Sequence, residues 1–210
     1  MSEPLTYASD IAFTPAVKAI QSAKGSRSAY AHMEEGGGWR TEIDADIAAF
    51  IGAQTSVFLA TANAQGQPYI QHRGGPPGFL RVLDEKTLAF ADFRGNRQFI
   101  TLGNLAENAK AYLFLIDYAR RQRIKIWGEA RVVADDPALL EALRSKNYKA
   151  VPEQAILFKV AAWDANCPQH IPQRFEAADV AAALAERDDR IAALEAELGR
   201  LREERAATPG

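Results

Sequence analysis

The residues best equipped for chemistry lie between positions 90 and 98, Phe90-Ala91-Asp92-Phe93-Arg94-Gly95-Asn96-Arg97-Gln98. An apolar run, Thr87-Leu88-Ala89-Phe90, feeds this glycine turn, and the turn leads into a helical pattern carrying Phe99, Ile100, Leu102 and Leu105. The first turn of a helix leaves backbone N–H groups unpaired and carries a partial positive charge. An arginine beside it adds a full charge and several donors, a combination suited to holding a phosphate. A solvated turn with a surface arginine fits the same residues. Cys167 and His170 form a Cys-x-x-His pair, which supplies two of the four ligands of a structural zinc site, and His32 and His72 have no matching spacing. The sequence shows neither a base nor an electropositive pocket for the thiol, so neither metal binding nor thiol catalysis is expected. Gly36-Gly37-Gly38 lacks the Gly-Lys-Ser/Thr ending of a phosphate-binding loop and reads as a flexible connection.

Composition narrows the partners. A net charge of −2 gives no basic bias toward nucleic acid or an anionic membrane. No stretch approaches the roughly 20 apolar residues of a membrane span. The start, Met1-Ser2-Glu3-Pro4-Leu5-Thr6, has no basic segment leading into an apolar run, so no signal peptide is expected. A single cysteine fits a reducing compartment, and the expected location is cytoplasmic. At 210 residues the chain can build one substantial core and a short appendage.

The elements that must position the 90–98 turn are mostly strands. Runs at 57–61, 69–73, 79–83, 87–90 and 111–116 read as strands, those at 57–61 and 111–116 compact and apolar, and Asn63-Ala64-Gln65-Gly66-Gln67 reads as a hairpin turn. Residues 123–133 alternate, with Ile124, Ile126, Gly128, Ala130 and Val132 on one face and Arg123, Lys125, Trp127, Glu129 and Arg131 on the other. A last strand is expected over 156–162. Helices are expected over 43–53, behind a capping-box-like Thr41-Glu42-Ile43-Asp44, over 97–107, and over 137–144 behind Asp135/Asp136. Short strands joined by turns favour an antiparallel barrel over a doubly wound sheet. Toward the C-terminus, Leu184, Ile191 and Leu198 recur every seven residues with Leu194 and Leu201 on the alternate seam, interrupted at Arg187. This amphipathic helix either packs on its own barrel or associates with a second copy. The organisation expected is a helical and loop extension over 1–40, a barrel domain over 41–178, and the amphipathic helix with its tail over 179–210.

In the order of its motifs, the region 57–133 resembles the pyridoxamine 5′-phosphate oxidase family of FMN-binding split barrels. The resemblance rests on Gln67-Pro68-Tyr69, the 90–98 turn, Asn104-Leu105-Ala106-Glu107-Asn108, the strand ending at Ile116, Arg121-Gln122 and Gly128-Glu129-Ala130. His72-Arg73-Gly74-Gly75-Pro76-Pro77-Gly78-Phe79 and Asn166-Cys167-Pro168-Gln169-His170-Ile171 are similar to motifs of its oxidase-related branch. The resemblance implies a six-stranded antiparallel split β-barrel (an α+β fold) with flanking helices. It also implies a homodimer whose two chains share each FMN site. By the same comparison, Arg97 would bind the FMN phosphate, with Asn96 where the family has serine and Gln98 where it often has lysine. Arg73 would be the compensating cation, with Gln71 and Gly74 beside the same ligand. Asp92 and Phe93 would follow the strand that passes along the flavin, and Gln122 would contact the cofactor. His72 and His170 are candidates for the substrate side.

The chain departs from the family's true oxidases in lacking their Arg-x-His motif near the C-terminus, where Asp164-Ala165-Asn166-Cys167-Pro168-Gln169-His170 stands instead. The loss of a cation at Gln98 points the same way. The expected function is therefore an FMN-dependent oxidoreductase acting on an unidentified small molecule, with that substrate or an electron acceptor as its partner, rather than a pyridoxamine phosphate oxidase. A flavin carrier or redox sensor without turnover, an interaction module with a vestigial cleft, and a deazaflavin or haem in place of FMN remain the alternatives.

Overall fold

The computed structural model describes residues 6–145, 148–166 and 168–207. Seven strands form one antiparallel sheet: β1 (Ser56–Ala62), β2 (Pro68–Gly74), β3 (Arg81–Asp84), β4 (Thr87–Phe93), β5 (Lys110–Asp117), β6 (Gln122–Val133) and β7 (Pro152–Asn166). Their order is β2-β1-β5-β6-β7-β4-β3. The class is the expected split-barrel α+β arrangement, but the count is seven strands rather than six. The chain divides into two compact units, one of residues 1–117 and 122–169, the other of 118–121 and 170–210.

In the first unit, the inward residues of β1, β4, β5, β6 and β7 supply most of the core. Val57 and Leu59 of β1, Leu88 and Phe90 of β4, Leu113 and Leu115 of β5, Ile124 and Ile126 of β6, and Ile156 and Phe158 of β7 pack into one apolar cluster. The alternation read over 123–133 is the observed one, because only one face of β6 meets this cluster. A register shift between Trp127 and Gly128 interrupts the β6–β7 pairing. A Cβ at Gly128 would lie against the Lys159 carbonyl oxygen and 2.6 Å from Phe158 Cε1, so only glycine fits there. β7 runs from Pro152 rather than from 156, since it pairs with β4 along one side and β6 along the other.

Helices α1 (Pro15–Ala23) and α2 (Arg27–Glu35) follow a short 3₁₀ turn at Ala8–Ile11. They are joined to that turn by a buried polar cluster: the Ser9 hydroxyl donates to Glu34 at 2.9 Å, Arg27 pairs with Glu34, and Lys18 pairs with Asp10 at 2.5 Å. The Lys18 ammonium and backbone donation from Tyr7 hold the Asp10 carboxyl below its ordinary range. Trp39 then stacks on Trp127 with ring centroids 4.4 Å apart, docking the extension on the outer face of β6. Helix α3 (Ala45–Ala53) is capped by Asp44, whose carboxylate accepts from the Ile47 N–H at 2.9 Å, so it starts two residues later than expected. Helix α5 (Pro137–Leu143) is capped by Asp136 in the same way.

The second unit is dominated by α6 (Ala177–Ala207), which has no buried side chain. Among the described residues, no helix is long and apolar enough to cross a membrane.

Candidate functional site

Strand β4 ends in a loop whose backbone is unusual. Arg97 has φ 62° and Phe99 has φ 56°, both left-handed and neither a glycine. That conformation delays α4 (Ile100–Glu107), which starts at Ile100 rather than at 97. Phe99 occupies its N-cap with no side-chain hydrogen bond, and among the described residues no side chain caps the first N–H groups of α4. Arg97 therefore lies in the approach to the helix, not in its first turn. Asn104 ties the helix down by donating to the Thr61 hydroxyl on β1 at 3.0 Å.

Loop, helix start and strands enclose a cleft of about 260 Å³. Tyr69, Gln71 and Arg73 line it from β2, Asp92 and Phe93 from β4, Gly95 through Phe99 from the loop, Ile100, Thr101 and Leu102 from α4, and Glu153 from β7. Strand alternation explains the β2 contribution: Tyr69, Gln71 and Arg73 share the inner face, and Ile70 and His72 the outer one. The Thr101 hydroxyl donates to Gln71 Oε1 at 2.7 Å, locking the amide against the helix start.

Charges in the cleft are paired with one exception. Arg73 is ion-paired with Asp92, both largely buried, and Asp92 also accepts from Gln154 Nε2 at 2.9 Å. Arg94 Nε donates to Glu153 Oε1 at 2.8 Å. Among the described residues no carboxylate pairs with Arg97, whose guanidinium stands 5.5 Å from the Phe99 ring centroid. A second observation concerns Arg73: its Nε is buried and has no hydrogen-bond partner. An orphaned donor of this kind costs stability unless a ligand or water meets it. The cleft thus offers one uncompensated cation, one unused guanidinium donor and the uncapped N–H groups of a helix start. This donor set suits an anion with several oxygens, as a phosphate has.

Of the residues expected to hold a cofactor, Gln71, Arg73, Asp92, Phe93, Asn96, Arg97 and Gln98 meet in this cleft. Gly74 and Gln122 do not line it. Gly74 ends β2 opposite Ser56, where a Cβ would fall 2.9 Å from His72 Cε1. Gln122 opens β6 opposite Asp117 and is exposed. His72 faces outward, its Nε2 2.7 Å from the Ser56 hydroxyl and its ring against Phe58. His170 is exposed, with φ 64°, in the second unit. Cys167 lies outside the described residues. The sequence reading missed Thr101, Glu153 and Gln154. Only Thr101 had a local signal, as a polar residue at the start of the helical pattern.

A family model described as pyridoxamine 5′-phosphate oxidase matches residues 43–167, more than half of the chain. The chain belongs to the pyridoxamine 5′-phosphate oxidase family. The match spans every strand of the sheet and the whole cleft. Among solved structures, the chain is similar to HupZ of Group A Streptococcus, with 19% identity over 63% of this chain and 100% of that one at a TM-score of 0.49. An FMN-binding protein from Syntrophomonas wolfei shares 12% identity over 71% of this chain and 97% of its own, at a TM-score of 0.45. The FAD binding protein from Mycobacterium smegmatis shares 17% identity over 60% and 97%, at a TM-score of 0.41. Among curated protein sequences there is no match.

Proposed function

We propose that this member of the family is a flavoprotein that binds FMN non-covalently and transfers electrons to or from a small molecule. The observation that carries this reading is Arg97, which among the described residues has no counter-charge, standing in a left-handed turn before the uncapped start of α4. Arg97 would donate charge-assisted hydrogen bonds to the phosphate, with Asn96 and Gln98 beside it and the N–H groups of Ile100 and Thr101 completing the cradle. Arg73 would contribute its unused Nε–H, while Asp92 keeps its net charge low. Gln71, fixed by Thr101, would present a rigid amide to the ribityl chain. When bound, the flavin supplies the redox chemistry, taking up a hydride or two electrons from one partner and passing them to another.

A cleft of about 260 Å³ is smaller than the roughly 300–1,000 Å³ usual for ligand sites. That shortfall, with Gln122 outside the cleft, supports a site completed by a second copy, which would bring its own Gln122 to the ring.

The test is the visible spectrum of the purified chain, followed by titration of the stripped protein with FMN. Flavin bands released on denaturation, and identified by chromatography as FMN, are the expected result. A colourless protein that takes up no added FMN would overturn the reading. Arg97→Ala is expected to weaken FMN binding by about 1.5–3 kcal/mol, roughly ten- to hundredfold, measured by quenching of flavin fluorescence. Bleaching of the bound flavin by an added reductant, followed by reoxidation with a small-molecule acceptor, separates an oxidoreductase from a carrier.

A further inference from the structure

Helix α6 presents an exposed apolar seam. Val180, Leu184, Ile191, Leu194, Leu198 and Leu201 are each between 44% and 54% exposed. Their spacing alternates three and four residues once Arg187 is counted in the series, the rhythm of a two-stranded left-handed coiled coil. In heptad terms Leu184, Ile191 and Leu198 occupy a, and Val180, Arg187, Leu194 and Leu201 occupy d. The flanking positions are then fixed: Arg190 and Glu197 at g, Asp188, Glu195 and Arg202 at e.

We propose that α6 pairs with α6 of a second copy of this chain as a parallel, in-register coiled coil closed from Arg190 to Arg202. The charges select this arrangement. In a parallel pair each g side chain meets the e side chain five residues further along the partner. Arg190 then meets the second copy's Glu195, and Glu197 meets its Arg202, both attractive and both repeated by symmetry. In the antiparallel pair that sets Leu184 against Leu201, Arg190 meets Glu197, but Asp188 meets Glu195, so the gain is cancelled by repulsion. Glu197 is engaged by Arg200 within the single helix, and an exposed pair of that kind exchanges partners at little cost. Arg187 marks where the zipper stops: at d it would face its own copy, so closure begins at the next turn. Two heptads are short for an independent coiled coil, so the pairing is expected to strengthen with protein concentration. The proposal does not rest on flavin binding, and a colourless protein leaves it standing.

The full chain tests it with one thiol at a time, in a Cys167→Ala background. Parallel pairing sets the two copies of residue 201 side by side, within the Cα separation of about 4.4–6.8 Å that a disulfide needs. Antiparallel pairing sets them about 25 Å apart along the axis. Leu201→Cys is expected to give a covalent dimer on mild oxidation, whereas Gly199→Cys, on the outer face, gives several-fold less. Arg190→Glu should lower the Leu201→Cys cross-link several-fold, and adding Glu195→Arg to the same chain should restore it. An absent cross-link at position 201, one equally strong at 199, or a charge swap that restores nothing overturns the proposal.

Discussion

At the scale of single residues, the cleft is governed by which arginine is neutralised. Arg73 and Asp92 lie 19 positions apart in sequence and on different strands, and nothing local links them. Sequence could show two charges near a glycine-rich region, but not that one cancels the other. The same holds for Glu153, which reaches Arg94 from 59 positions away. Arg97 was legible because its chemistry is local: a turn, a glycine and the start of a helix. The pairing has a measurable consequence. Asp92→Asn leaves a largely buried guanidinium without its carboxylate, although the amide oxygen can still accept from it. The stripped protein should lose roughly 3 kcal/mol, the lower end of what a broken buried pair costs. FMN should recover part of that loss, because its phosphate offers Arg73 a new counter-charge. Urea unfolding with and without FMN checks both, and an unchanged midpoint for the stripped variant would show that the pair adds no net stability to the fold.

At the scale of elements, what was readable is what packs against one apolar face. β6 has a buried and an exposed side, so its period of two stands in the sequence. β7 was expected to be shorter because Pro152-Glu153-Gln154 looks like a loop, and only its pairing with β4 makes it strand. α4 was expected too early because nothing in Arg97 or Phe99 announces a left-handed backbone. α1 and α2 gave weak signals for a different reason. Their buried residues are the polar Gln21 and Glu34, so hydrophobic periodicity underrates them. Gly128 is where element packing becomes testable. An alanine methyl would push on the Lys159 carbonyl and the Phe158 ring, and both belong to a strand held on two sides. Gly128→Ala should therefore destabilise by about 1–3 kcal/mol, the range for overpacking a well-filled site. A denaturation midpoint equal to that of the parent chain would mean that the β6–β7 bulge yields freely.

At the scale of the whole molecule, burial is divided very unevenly. Both apolar clusters, from Ile43 to Trp163, belong to the first unit, whereas the 31 residues of α6 bury no side chain. Composition alone could not reveal this, since α6 is rich in leucine and alanine. Its seven-residue period did reveal an apolar seam along one side of the helix. The consequence is that stability and association should separate. Among the described residues, ending the chain after Glu176 removes exposed ones only, so the unfolding free energy of the remainder should stay within about 0.5 kcal/mol of the parent, as for other surface changes. The apparent mass at low protein concentration should fall at the same time if α6 holds two copies together. Chemical denaturation and sedimentation measure the two quantities independently. A large loss of stability would mean that α6 takes part in holding the remainder folded. An unchanged mass would place association elsewhere on the chain.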